Sequence, residues 1–145
     1  MIPRLLQFEF FRRHREYGVI FLRLIIGSFI IWGVQDNVFS SGRMEEFAKF
    51  LGERGVPFPL FAAFLSAYTQ LVCGICILIG AATRLASIPF IINFTAAIII
   101  AHLGDTFSDM FPALMMLCAG LFFLFHGAGK LSVDEALEKR AGQGS

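Results

Sequence analysis

Residues 58–80 read FPLFAAFLSAYTQLVCGICILIG. No charged side chain interrupts the stretch, and its polar members are small or neutral. A helix rises about 1.5 Å per residue, so roughly 20 apolar residues cross the ~30 Å hydrocarbon core of a bilayer. A barrel strand would instead alternate apolar and polar positions over about ten residues. This run does not alternate. It predicts a transmembrane helix, and runs at 17–34, 85–102 and 110–125 repeat the pattern. Lipid offers no water to unpaired backbone groups, so only helices and closed barrels span it. The expectation is an all-α integral membrane protein, a bundle of four transmembrane helices in one domain over residues 1–145.

Composition agrees. Hydrophobic residues make up 57% of the chain and charged residues 16%, with 18 phenylalanines and a mean hydropathy of +0.72. Soluble domains run about 45–50% apolar and about 25% charged. A chain this short cannot bury such an excess in water, and the bilayer is its first partner. The net charge of +1 excludes an electrostatic case for nucleic acid.

The ends and loops have their own patterns. Ile2, Leu5, Leu6, Phe8, Phe10 and Phe11 stand among arginines, so residues 1–16 predict an interfacial segment on an anionic leaflet. Gly33–Val34–Gln35–Asp36 lacks the small-x-small pattern of a cleavable signal peptide. In the first loop, Ser40–Ser41–Gly42 precedes Glu45 and Glu46, and Met44, Phe47, Ala48 and Leu51 share one helical face. Ser132–Val133–Asp134–Glu135 is a capping box that opens a short helix over 132–141. Short amphipathic helices are therefore expected in the first loop and at both termini.

Lys and Arg set the expected orientation. Arg4, Arg12, Arg13, Arg15, Arg84, Lys130, Lys139 and Arg140 fall on one side; Arg43, Lys49 and Arg54 fall on the other. Eight against three predicts cytoplasmic N and C termini in a bacterial inner membrane.

Cys73 and Cys76 form a C-x-x-C spacing with only Cys118 left over. A redox pair needs a lowered thiolate pKa from a helix N-terminus or a cation. These two lie past the middle of an apolar span, on a ridge with Ala63, Ser66, Ala67, Gln70 and Gly74. Small ridges pack membrane helices. Packing is the expectation. Haem is not expected either, because His102 and His126 end opposite sides of the bilayer.

The polar residues inside the spans are the candidate site. Arg23, Gln70 and Asn93 lie within spans, and His102 closes the third. A charge at such depth costs about 2.5–3.5 kcal/mol even on the lenient insertion scale, so it must face the bundle and find partners. No carboxylate lies in any span. Arg23 is expected to point inward and contact Gln70, Asn93 or a ligand head-group such as a quinone. The bland alternative is an interhelical hydrogen-bond staple. His102 with Asp36, Asp105 and Asp109 could crowd at the outer mouth and hold a divalent cation. Solvated loop ends are the plainer reading, and no metal is expected.

Leu22–Arg23–Leu24, Gly27 and Gly33, then Gln70, Gly74 and Gly80, then Thr83–Arg84–Leu85–Ala86, His102 and Gly127 through Asp134 together resemble the DoxX family. The resemblance runs from about Tyr17 to Leu137. It implies a small four-helix bacterial membrane protein, some of whose relatives are subunits of quinone-linked oxidoreductases. Trp32 and Asp36 stand where many members have histidine and lysine, and Gln70 stands where many have glutamate. A neutral amide in place of an acid favours binding or structure over proton-coupled chemistry. The expected function is a non-catalytic accessory or assembly subunit of a membrane redox complex, with partner subunits or copies of itself. The alternatives are a quinone-binding oxidoreductase component using Arg23, Gln70, Asn93 and His102, and a small transporter or ion-binding protein.

Overall fold

The computed structural model describes residues 8–143. Its helices are α1 (Glu9–Arg13), α2 (Gly18–Phe39), α3 (Ser41–Glu53), α4 (Pro59–Ile79), α5 (Thr83–Ala101), α6 (Phe107–His126) and α7 (Val133–Gly142), with a single 3-10 turn at Arg15–Tyr17. No strand occurs among the described residues. α2, α4, α5 and α6 are each long and apolar enough to cross a membrane, and they form a four-helix membrane bundle.

The spans differ from the sequence expectation mainly at their ends. α2 continues past Val34 to Phe39, and α6 begins at Phe107 rather than at 110. The earlier start of α6 has a local cause. Thr106 caps the helix, its Oγ1 accepting from the Asp109 amide at 3.4 Å. Residues 1–7 of the expected interfacial segment lie outside the described residues. The adjoining helix, α1, leaves Phe10 and Phe11 exposed.

Small residues set the helix crossings, as they must where lipid provides no hydrophobic drive to associate. A Cβ on Gly27 of α2 would fall 2.8 Å from Cβ of Leu78 on α4. One on Gly120 of α6 would fall 2.9 Å from Cγ1 of Ile91 on α5. Around these crossings Phe90, Phe123 and Ile77 are fully buried. Cys73 belongs to the same apolar core.

α3 buries Met44, Ala48 and Leu51. It packs over Val34, Ala63 and Ala67 and closes one side of the bundle. Ser40 is its cap, accepting from the Arg43 amide at 3.4 Å. Gly55, at φ +79°, and Pro59, the first residue of α4, turn the chain back into the bundle.

Candidate functional site

Two polar regions lie inside the bundle. The first is at the end that carries both termini. Arg23 is 4% exposed. Its Nε donates to the Ile77 carbonyl and its Nη2 to that of Leu78, both at 3.2 Å. Its Nη1 donates to the carbonyls of Ala128, Lys130 and Leu131, each also at 3.2 Å. The last carbonyls of a helix have no intrahelical donor and carry the negative end of its dipole. Arginine brings five donors and no acceptor. The guanidinium therefore clamps the C-terminus of α4 to the loop before α7.

The clamp needs close backbone approach. Gly80 ends α4 at φ +71°, and a Cβ there would fall 2.5 Å from Cβ of Ser132 and 2.8 Å from Cζ of Arg23. Asp134 fastens the other side of the same turn. Its Oδ1 accepts from the Ala82 amide at 2.6 Å and its Oδ2 from the Thr83 amide at 3.0 Å, capping α5. Nearby, Glu135 accepts from Lys139, Lys130 and the Leu131 amide. The two lysine partners, Lys139 first, and the amide hold its carboxyl down to about 2.

The second region is a cavity of about 710 Å³ between α3, α4 and α5. Phe47, Leu65, Ile92 and Ile100 contribute to its apolar wall. Thr69 and a relay of three polar side chains interrupt that wall. Nε2 of Gln70 donates to Oγ of Ser66 at 3.2 Å, and Ser66 donates to Oδ1 of Asn93 at 2.8 Å. Nδ2 of Asn93 is buried and has no protein partner.

At the cavity's mouth stand Arg54, His102 and Asp105. Nη1 of Arg54 donates to the carbonyls of Ala101 at 2.7 Å and Ile100 at 3.3 Å, and its guanidinium lies 5.1 Å from the Phe50 ring centroid. Arg54 thereby ties the end of α3 to the end of α5. Nδ1 of His102 lies 3.1 Å from Oδ2 of Asp105.

Gln70, Asn93 and His102 thus line one cavity, and Arg23 does not join them. The expected contact of Arg23 with Gln70 or Asn93 is replaced by main-chain carbonyls at the other end of the bundle. Of the cation candidates, only His102 and Asp105 meet. Asp36 is exposed on α2, and Oδ2 of Asp109 accepts from Thr106 Oγ1 at 2.7 Å. Among the described residues no three His, Cys, Asp or Glu side chains gather as a metal group. Cys73, Cys76 and Cys118 are all free thiols, with Cys73 buried and Cys118 exposed on α6.

Sequence reasoning passed over Ser66 as a polar contact and Arg54 as a mouth residue. Ser66 was visible in principle, one helical turn before Gln70. Arg54 was not, since its partners lie on α5.

The DoxX family profile matches residues 18–103, which include α2 to α5 and so Arg23, Arg54, Gln70, Asn93 and His102, but not Asp105, the loop before α7 or α7 itself. The chain is also similar to an uncharacterized membrane protein of Mycobacterium tuberculosis, with 32% identity over 158 aligned positions, 96% of this chain and 90% of the relative. No solved structure matches it. A match over more than half of the chain, on a bundle of four membrane helices, settles its kinship: the protein belongs to the DoxX family of small membrane proteins.

Proposed function

We propose that this protein is an accessory subunit of a membrane redox assembly, and that its cavity holds a small lipid-soluble molecule of the quinone class. The cavity with its unpartnered Asn93 amide carries the reading. A ligand pocket is mostly apolar with a few placed polar groups. A quinone ring offers two carbonyl acceptors, its tail suits an apolar wall, and Nδ2 of Asn93 is a donor in need of an acceptor. Gln70 and Ser66 fix the Asn93 amide through a relay of hydrogen bonds. His102 and Arg54 stand at the mouth, where a second carbonyl or a ring substituent would lie. Arg23 stays outside this site, because its donors are committed to carbonyls.

An accessory role fits better than independent catalysis. Gln70 is a neutral amide, and the Cys73–Cys76 pair on α4 has only the single thiol of Cys118 on α6 beside it, so the spans supply no second thiol pair for a relay. The family resemblance to quinone-linked oxidoreductase subunits points the same way. Partner redox subunits complete the assembly, with or without further copies of this chain. The ion-binding alternative has only the His102–Asp105 pair in its favour. The placement is the inner membrane with both termini cytoplasmic, supported by the cationic bias of the terminal side.

The test is purification at native expression level in mild detergent, followed by solvent extraction and a redox difference spectrum. About one quinone per chain is expected, along with co-eluting redox subunits. A preparation that holds no quinone, even after incubation with a short-tailed ubiquinone analogue, would overturn the cavity's assignment. A chain that elutes only with copies of itself would overturn the accessory role. A reporter fused after Ser145 should be active only in a cytoplasmic form, and periplasmic activity would reverse the topology.

A further inference from the structure

A second cavity, of about 680 Å³, opens at the end of the bundle that carries the termini. It lies between the start of α5, the end of α6 and α7, and does not touch the quinone cavity. Most of its charges are already paired. Asp134 caps α5, Glu135 holds Lys130 and Lys139, and Glu16 lies beside Arg15 and His126. Two charges remain. Arg84 makes one long bond, from Nη2 to the Phe125 carbonyl at 3.4 Å, which leaves its other donors uncommitted. Glu138 has no ion-pair or hydrogen-bond partner among the described residues.

The cavity also holds orphaned polar atoms. Thr83 is fully buried and its Oγ1 has no partner, and Nδ1 of His126 is likewise buried and unpartnered. Leu85 and Leu137, both exposed, stand at its edge. An apolar groove on α6 lined by Cys118, Leu121, Phe122 and Phe125 shares His126 with it. The His126 ring stacks on Phe122 at 5.1 Å between centroids. From Cys118 to His126 the groove runs roughly 12 Å along the helix toward the hydrocarbon core.

We propose that these two hollows form one binding site for a zwitterionic glycerophospholipid with a primary ammonium head-group. The phosphate sits on Arg84, with His126 Nδ1 and Thr83 Oγ1 as further hydrogen-bonding groups. The ammonium reaches Glu138. One acyl chain lies in the α6 groove, passing the Phe122–His126 stack. The remaining charge, one cation and one anion at the membrane boundary, matches the ligand's own charge pair. A purely anionic head-group would leave Glu138 as a repulsive neighbour, which works against binding. A trimethylated head-group lacks the N–H donors that a carboxylate accepts.

The test is native mass spectrometry of the full chain, delipidated in detergent and offered equimolar phosphatidylethanolamine, phosphatidylcholine and phosphatidylglycerol. One phosphatidylethanolamine per chain should be retained, preferred roughly tenfold over the other two, about the worth of one charge-assisted hydrogen bond. Glu138→Gln, on an exposed side chain, should erase the preference over phosphatidylcholine while leaving phosphatidylcholine binding unchanged. Phe122→Ala should weaken all three lipids alike. Arg84→Gln should abolish retention, and its thermal midpoint shows whether the fold survived. Retention of phosphatidylglycerol at the level of phosphatidylethanolamine would overturn the proposal. So would a Glu138→Gln variant that keeps the preference, or displacement of the lipid by an equal concentration of tail-less phosphoethanolamine.

Discussion

The two polar regions of this bundle treat their hydrogen bonds in opposite ways. At the terminal end Arg23 spreads its donors over five carbonyls, and the only charge buried among the described residues is fully engaged. In the α3–α4–α5 cavity a neutral relay of three side chains ends on an amide with no partner. The saturated region has the pattern of structure, and the unsaturated one is where we place the proposed ligand. What separates them is the supply of loose acceptors. Helix ends and loops bring spare carbonyls to Arg23, whereas mid-helix carbonyls around Asn93 are already used.

Removing the clamp should have the largest effect. Arg23→Leu leaves buried carbonyls of α4 and the following loop without a donor, and the expected loss is about 3–5 kcal/mol. A fall in the thermal midpoint in detergent, or failure to accumulate, is the readout. An Arg23→Leu protein as stable as the parent would show that the carbonyls find other donors and that the contrast is false.

Next comes Gly80→Ala, which forces a side chain at φ +71° into Ser132 and Arg23. The expected loss is about 2–3 kcal/mol, seen in the same melt. Loss of quinone with no change in midpoint would mean that the two regions are coupled.

Asn93→Leu should do the reverse. Interhelical polar contacts in membranes average about 0.6 kcal/mol, so the midpoint should move little. Quinone content should fall by roughly tenfold, as one hydrogen bond is lost in a dry site. A large stability loss with retained quinone would make the relay a staple.

The smallest effect is pH dependence at the C-terminal clasp. The folded state lowers the Glu135 carboxyl to about 2, below its unfolded value. Its contribution is therefore present above the ordinary carboxylate range and lost as pH falls toward 2. Proteolysis within α7 should be slow above the ordinary carboxylate range and quicken progressively as pH falls from that range toward 2. A rate that stays flat across that window would mean that Lys139 and Lys130 do not hold it.

The spans were legible because continuous apolar runs have few alternatives in a chain of this composition. The α3 face was legible from Met44, Phe47, Ala48 and Leu51, and α7 from the Ser132 capping box. The polar residues Gln70 and Asn93 were legible as inward-facing for the same energetic reason as Arg23. Their sharing of one cavity with His102 was not, because it depends on how α4 crosses α5. Arg23 was misplaced because its partners are main-chain atoms. Carbonyls carry no letter in a sequence, and the loop that supplies three of them lies more than a hundred residues away. The segments quoted for the family resemblance, Thr83–Arg84 and Gly127 through Asp134, surround this clamp.

The span of that clamp has a consequence for biosynthesis. Chains emerge from the ribosome N-terminus first. Arg23 enters the membrane early, and the carbonyls of α4 reach it midway through translation. Its other three acceptors, at Ala128, Lys130 and Leu131, arrive only as the chain nears completion. Until then a partly unmet cation sits in the nascent bundle. A truncated product stopped before residue 128 keeps that defect permanently, so the chain's last loop completes what one of its first buried side chains began.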